Sequence, residues 1–135
     1  MGDSTGGYCS AKLAMLQPAT FPAAVALSGY YNTLKNNTTG DLRGGSLVLR
    51  KLNDLLWRLK HMPAPAVSLL VTTSRDENGP EGHSNTAAFL RLVKPPLFVD
   101  SIIQRHGGHN FATWSGQMPT ALSWLSKKLP PIQAR

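Results

Sequence analysis

The sequence has a single cysteine, few acidic residues and no long apolar run, and each scarcity closes off a class of protein. One thiol, Cys9, permits neither an internal disulfide nor a thiolate metal site. Cys9 falls in an apolar helical stretch, where a buried structural place is expected. The longest apolar run, residues 66–71, is far too short to cross a bilayer. No basic start followed by an apolar stretch marks a signal peptide, so the chain as given reads as soluble and untargeted. Acidic residues number 7 against 14 Lys and Arg, a formal net charge of +7. The cations are scattered from Lys12 to Arg135, with no basic block interleaved with aromatics, so nucleic acid is not an expected partner. They read as a solvated surface, or as a half-domain whose acidic complement lies elsewhere. His106 and His109, with no third ligand, make a poor zinc site, so no metal is expected. His61, His83 and His106 read as surface or structural residues.

What is present is enough for a core. Hydrophobic residues make up 41% of 135, which suits one domain or part of one. Residues 7–16 read as a helix apolar almost all round, expected to be packed in an interior and stopped by Pro18. Residues 23–28 form a short apolar run that fits a buried parallel strand. A loop over 30–45 follows, with Asn36 and Asn37 in N-x-Thr sequons. Residues 46–61 carry the clearest amphipathic pattern. Val48, Leu49, Leu52, Leu55, Leu56 and Leu59 make a stripe expected to face the core of one helix. A second buried strand is expected over 66–73, and then a polar loop over 74–84. A helix capped by Ser84 or Asn85 should run to about 93. Lys94-Pro95-Pro96 ends it. A third strand over 97–104, a loop over 105–115 and a last helix from about Pro119 to Leu129 complete the pattern, with a frayed tail over 130–135. Strands alternating with helices predict an α/β fold, a parallel sheet with right-handed crossovers.

The chemistry is read from three places. Gly2-Asp3-Ser4-Thr5-Gly6-Gly7 contains G-x-S-x-G, the nucleophile elbow of serine hydrolases. Ser4 would sit at the apex of a sharp strand-to-helix turn, with Gly2 and Gly6 as the elbow glycines, because a Cβ there would collide with the neighbouring strand and helix. The strand that should present the serine is expected to be missing. Asp76 and Glu77 follow the second strand, and His109, behind two glycines, follows the third. In an open parallel sheet the functional residues gather beyond the carboxyl ends of the strands. The order nucleophile, acid, base is that of the α/β hydrolases. A neutral imidazole takes the serine proton near pH 7, and a carboxylate fixes its tautomer. The Thr5 N–H would supply one oxyanion donor, and the second would come from a strand this sequence lacks. Trp114, just after the histidine loop, could wall a substrate pocket. Plainer readings stand beside these: a capping serine, a solvated acidic loop, a loop histidine.

GDSTGG before an apolar helix, AAVALSGYY after it and the late GGHNFATW resemble the esterase family of α/β hydrolases. That family holds esterase D and S-formylglutathione hydrolase, enterochelin esterases and the antigen 85 mycolyltransferases. The resemblance is nearest to actinobacterial members and covers residues 2 to about 129, the C-terminal half of a complete member. It implies a three-layer α/β sandwich and transfer of an acyl group from a small-molecule or lipid ester through an acyl-serine, with no cofactor. It makes Ser4 the nucleophile and His109 the base. The acid is Glu77 by the mycolyltransferase branch and Asp76 by the esterase D branch, and Glu77 is preferred. Some relatives carry membrane helices ahead of the esterase domain. Two readings therefore follow: a serine ester hydrolase or related acyltransferase, or a non-catalytic remnant without the N-terminal strands and second oxyanion donor. In either, the first sheet strand would offer an open edge for self-association.

Overall fold

The structure, a computed structural model, describes residues 1–34 and 40–129. The elements run β1 (Gly2–Asp3), α1 (Thr5–Leu16), β2 (Ala23–Leu27), α2 (Leu47–Asn53), α3 (Leu55–His61), β3 (Ser68–Ser74), α4 (His83–Leu90), β4 (Phe98–Gln104) and α5 (Phe111–Lys128). The four strands form one parallel sheet in the order β1-β2-β3-β4. The expected α/β alternation is therefore present. The two sequons at Asn36 and Asn37 and the tail over 130–135 lie outside the described residues.

The sheet is covered on both faces, and the period of two along each strand divides the core. Ala24, Ala26, Leu69 and Val71 point to one face, where they pack with Tyr8, Ala11 and Met15 of α1, Leu55 and Leu59 of α3 and Phe89 of α4. Val25, Leu27 and Leu70 point to the other face and meet Ala121, Trp114, Met118 and Trp124 of α5. Tyr31 stacks on Phe89 with ring centroids 4.1 Å apart. Burial holds the Tyr31 phenol well above its ordinary pKa, so it stays neutral.

Several expectations change. A strand does precede Ser4. Gly2 and Asp3 pair in parallel with Ala26 and Leu27, so two residues suffice to bring the serine to the sheet. The helix after it is not interior all round. Its buried face is Gly7, Tyr8, Ala11, Ala14 and Met15, which leaves Leu13 and Cys9 exposed. The stretch 46–61 is two helices, because the Asp54 backbone is extended and its carboxylate caps the second helix by accepting from the Trp57 N–H at 2.8 Å. Only the second half of the stripe reaches the core. Leu55 and Leu59 are buried, whereas Leu47, Val48, Leu49 and Leu52 are exposed. Leu55→Ala should cost about 2–5 kcal/mol in urea unfolding, and Val48→Ser should stay within about 0.5 kcal/mol. Neither Ser84 nor Asn85 caps α4. The N-cap is Gly82, and the buried Asn85 side chain instead accepts from the Tyr31 N–H and donates to Pro80 O and Asn32 Oδ1.

The last helix begins at Phe111 rather than near Pro119. The side chain of Asn110 accepts from the Thr113 N–H at 3.0 Å, a stronger start signal than the proline. Pro119 then sits inside the helix, where it removes one hydrogen bond, to the exposed turn at Ser115. Among the described residues no helix is long and apolar enough to cross a membrane, and no group of three His, Cys, Asp or Glu could hold a metal ion.

Candidate active site

The carboxyl ends of all four strands converge on one cluster. Ser4 follows β1 with φ 52 and ψ −120, a conformation that costs a non-glycine residue about 1–3 kcal/mol. The strain is held by two backbone bonds: Ser4 N–H donates to Leu27 O at 2.9 Å, and Ser4 O accepts from Tyr8 N–H at 3.1 Å. Gly2 is required there, since a Cβ on it would lie 2.5 Å from the Gly6 backbone. Gly6, in contrast, has nothing within 4 Å of a built Cβ, so it is not the glycine that sterics demand. That glycine is Gly7. It faces Gly29, and a Cβ on Gly7 would sit 3.0 Å from the Gly29 Cα.

His109 Nε2 lies 2.8 Å from Ser4 Oγ, and its Nδ1 lies 3.3 Å from Glu77 Oε2. With the proton on Nδ1, the ring donates to Glu77 and accepts from the serine hydroxyl. Glu77 is buried, at 4% exposure, three positions beyond the end of β3. Its other oxygen accepts from Ser28 Oγ at 2.7 Å and from the Ser74 N–H at 3.0 Å. Three donors thus satisfy a carboxylate that burial would otherwise penalise heavily. Asp76 does not join the cluster. Its side chain is turned to the exposed His106, with Oδ2 3.1 Å from that ring's Nδ1.

The loop that carries His109 is fixed at both ends. Gly107, at φ 148, lets the chain pass close to Thr113 and Ser74, and Gly108 N–H donates to Thr113 Oγ1 at 3.0 Å. Asn110 then caps α5. Trp114, on the first turn of that helix, meets the His109 ring edge to face with centroids 5.1 Å apart. The Thr5 N–H belongs to the first turn of α1 and has no intrahelical acceptor.

Ser28 was not anticipated as part of this cluster. It is fully buried at the carboxyl end of β2 with φ 44. Its N–H donates to Thr72 O, and Thr72 Oγ1 donates to the buried Gln117 of α5 at 2.7 Å. A polar residue closing an apolar strand run was the one available signal. Ser28→Ala removes a donor to a charged, buried acceptor. We expect a loss of about 1–3 kcal/mol in denaturant unfolding and roughly tenfold in kcat with KM little changed.

Comparison with solved structures places the fold. S-formylglutathione hydrolase from Agrobacterium tumefaciens superposes with a TM-score of 0.79 at 15% identity, over 96% of this chain and 48% of that one. A fluorophosphonate-binding serine hydrolase from Staphylococcus aureus gives 0.66 at 21%, over 92% and 52%. An acylaminoacyl peptidase from Pyrococcus horikoshii gives 0.69 at 18%, over 99% and 24%. The fold is that of the α/β hydrolases. The chain spans about half the length of the first two α/β hydrolases and about a quarter of the third. No family model and no curated protein sequence matches it. At these identities the α/β-hydrolase fold is what is shared, and the roles of individual residues rest on the geometry above.

Proposed function

We propose that this chain carries the acyl-transfer centre of a serine carboxylic-ester hydrolase or a related acyltransferase. Ser4 is the nucleophile, His109 the general base, Glu77 the acid that orients the imidazole, and the Thr5 N–H an oxyanion donor. The observation that supports this best is the continuous line from Ser4 Oγ through His109 to a buried, fully satisfied Glu77.

In this reading Ser4 Oγ attacks the ester carbonyl carbon while its proton passes to His109 Nε2. The oxyanion forms against the Thr5 N–H. Collapse breaks the C–O bond to the alcohol, which leaves with the proton from His109, and the acyl group stays on Ser4. Water, or a second alcohol in an acyltransferase, then gives its proton to His109 and attacks the acyl carbon; the acyl–Oγ bond breaks and His109 returns the proton to Ser4 Oγ. The imidazolium formed at each step is stabilised by Glu77, and no cofactor enters. The substrate class is a small-molecule or lipid ester.

The test is hydrolysis of 4-nitrophenyl acetate and butyrate with rapid-mixing detection. An acyl-serine predicts a burst of 4-nitrophenolate equal to the protein present, lost in His109→Ala. Turnover equal in the wild type and His109→Ala would instead identify the chain as a non-catalytic α/β-hydrolase remnant.

A further inference from the structure

Beside Ser4 the protein has a cleft of about 310 Å³ that the reaction scheme leaves unused. Its floor is one face of α1, formed by Thr5, Tyr8, Cys9 and Lys12 at helical spacing, and Arg43 closes its side. Two cations therefore stand over one aromatic ring: Lys12 Nζ is 5.7 Å and Arg43 Cζ 5.9 Å from the Tyr8 centroid. Arg43 is held in place, because its Nη2 donates to Tyr8 OH at 3.0 Å and that hydroxyl donates to Asn53 O at 2.8 Å. Tyr30 stacks on Tyr8 at 4.9 Å and its hydroxyl reaches Thr5 Oγ1 at 3.4 Å, which joins the cleft to the residue after the serine.

Among the described residues no carboxylate forms an ion pair with Lys12 or Arg43, while the nearby Asp41 is bonded to Arg50 at 2.6 Å. One donor of the guanidinium is used by Tyr8, and among the described residues its fork bonds no other acceptor. A tethered guanidinium and an ammonium, walled by aromatic rings that lower the local dielectric, are arranged to receive an anionic oxygen group. The helix sets the reach. Lys12 lies eight residues beyond Ser4 and Tyr8 four, so the anion would sit about 6–12 Å along the axis from the nucleophile.

We propose that this cleft binds a carboxylate or phosphate borne by the ester that Ser4 attacks. The binding claim stands on the cleft, and its catalytic meaning rests on the esterase reading above. The probes are monomethyl suberate, dimethyl suberate and 6-acetoxyhexyl phosphate, titrated into the Ser4→Ala protein so that nothing is hydrolysed. Binding is followed by amide chemical shifts.

The expected result is that both anionic esters bind about tenfold more tightly than the neutral diester. They should shift the amides of Thr5, Cys9 and Lys12, and should weaken as salt is raised. The preference should vanish in Lys12→Gln and in Arg43→Gln; Lys12 is a partly exposed helix residue whose replacement leaves the core intact. The tighter of the two anions names the group. Equal affinity for the neutral diester, or a preference that survives both substitutions, would overturn the proposal. Anion binding by the Ser4→Ala protein together with no turnover of 4-nitrophenyl butyrate by the wild type would sink the esterase reading and leave this one standing. Turnover without charge preference would do the reverse.

Discussion

Ser4→Ala is expected to lower kcat for 4-nitrophenyl butyrate by on the order of 10³-fold or more, with KM nearly unchanged. The substitution removes one oxygen at a position where the backbone is already strained. Ser4 N–H still donates to Leu27 O, and Ser4 O still accepts from Tyr8 N–H, so the turn itself is retained. What is lost is the atom 2.8 Å from His109 Nε2, and with it the proposed covalent route. Any residual rate would come from substrate binding and the oxyanion donor alone. Steady-state kinetics of the two proteins, matched for folded fraction by circular dichroism, measure the effect. A loss of less than tenfold would mean that another group carries the chemistry.

The second large effect separates two glycines that look alike in the motif. Gly2→Ala places a Cβ 2.5 Å from the carbonyl carbon and oxygen of Gly6, which are backbone atoms and cannot rotate away. Either the elbow opens or β1 leaves the sheet. Both move Ser4 by an ångström or more, and a displacement of that size costs about 10²-fold in rate. The stability cost is capped, because releasing a two-residue strand is always available. Gly6→Ala meets no atom within 4 Å and lies in the first turn of α1. It should leave activity intact and raise stability by up to about 1 kcal/mol through helix propensity. Activity and thermal unfolding of the two variants side by side check the contrast. A Gly6→Ala protein as damaged as Gly2→Ala would show that the steric account of the elbow is wrong.

The parts of this molecule that were legible in the sequence are those governed by local pattern. The apolar runs over 23–28 and 66–73 became β2 and β3, displaced by one or two residues, because a strand buried on both faces leaves a continuous signature, and the run over 97–104 became β4, a partly exposed edge strand. The chain order of Ser4, Glu77 and His109 was legible because each follows a strand, and a parallel sheet gathers those ends. The choice between Asp76 and Glu77 was not decided by residue type. In space the two differ by burial: Glu77 lies behind Ser28 and Ser74, while Asp76 faces solvent and His106.

The errors have physical causes of their own. The stripe from Val48 to Leu59 obeyed one helical period, yet Asp54 found a better use for its carboxylate as a cap than as a mid-helix residue. Pro119 suggested a helix start, but the Asn110 cap outweighed it eight residues earlier than expected. Cys9 belonged to an apolar segment, and its exposure depends on which helix face meets the sheet, which hydrophobicity spread round the whole helix could not specify. Ser28 and Gln117 reach the site only through tertiary contacts 49 and 45 residues away in sequence, to Glu77 and Thr72.

The most direct test of the central claim is covalent labelling by an alkyl fluorophosphonate, read by mass spectrometry of the digested protein. The probe reacts with a serine only when a base removes its proton. The account predicts one adduct per chain, on the peptide that contains Ser4, and its loss in both His109→Ala and Ser4→Ala. An intact chain with no adduct, or with labelling that survives His109→Ala, would contradict it.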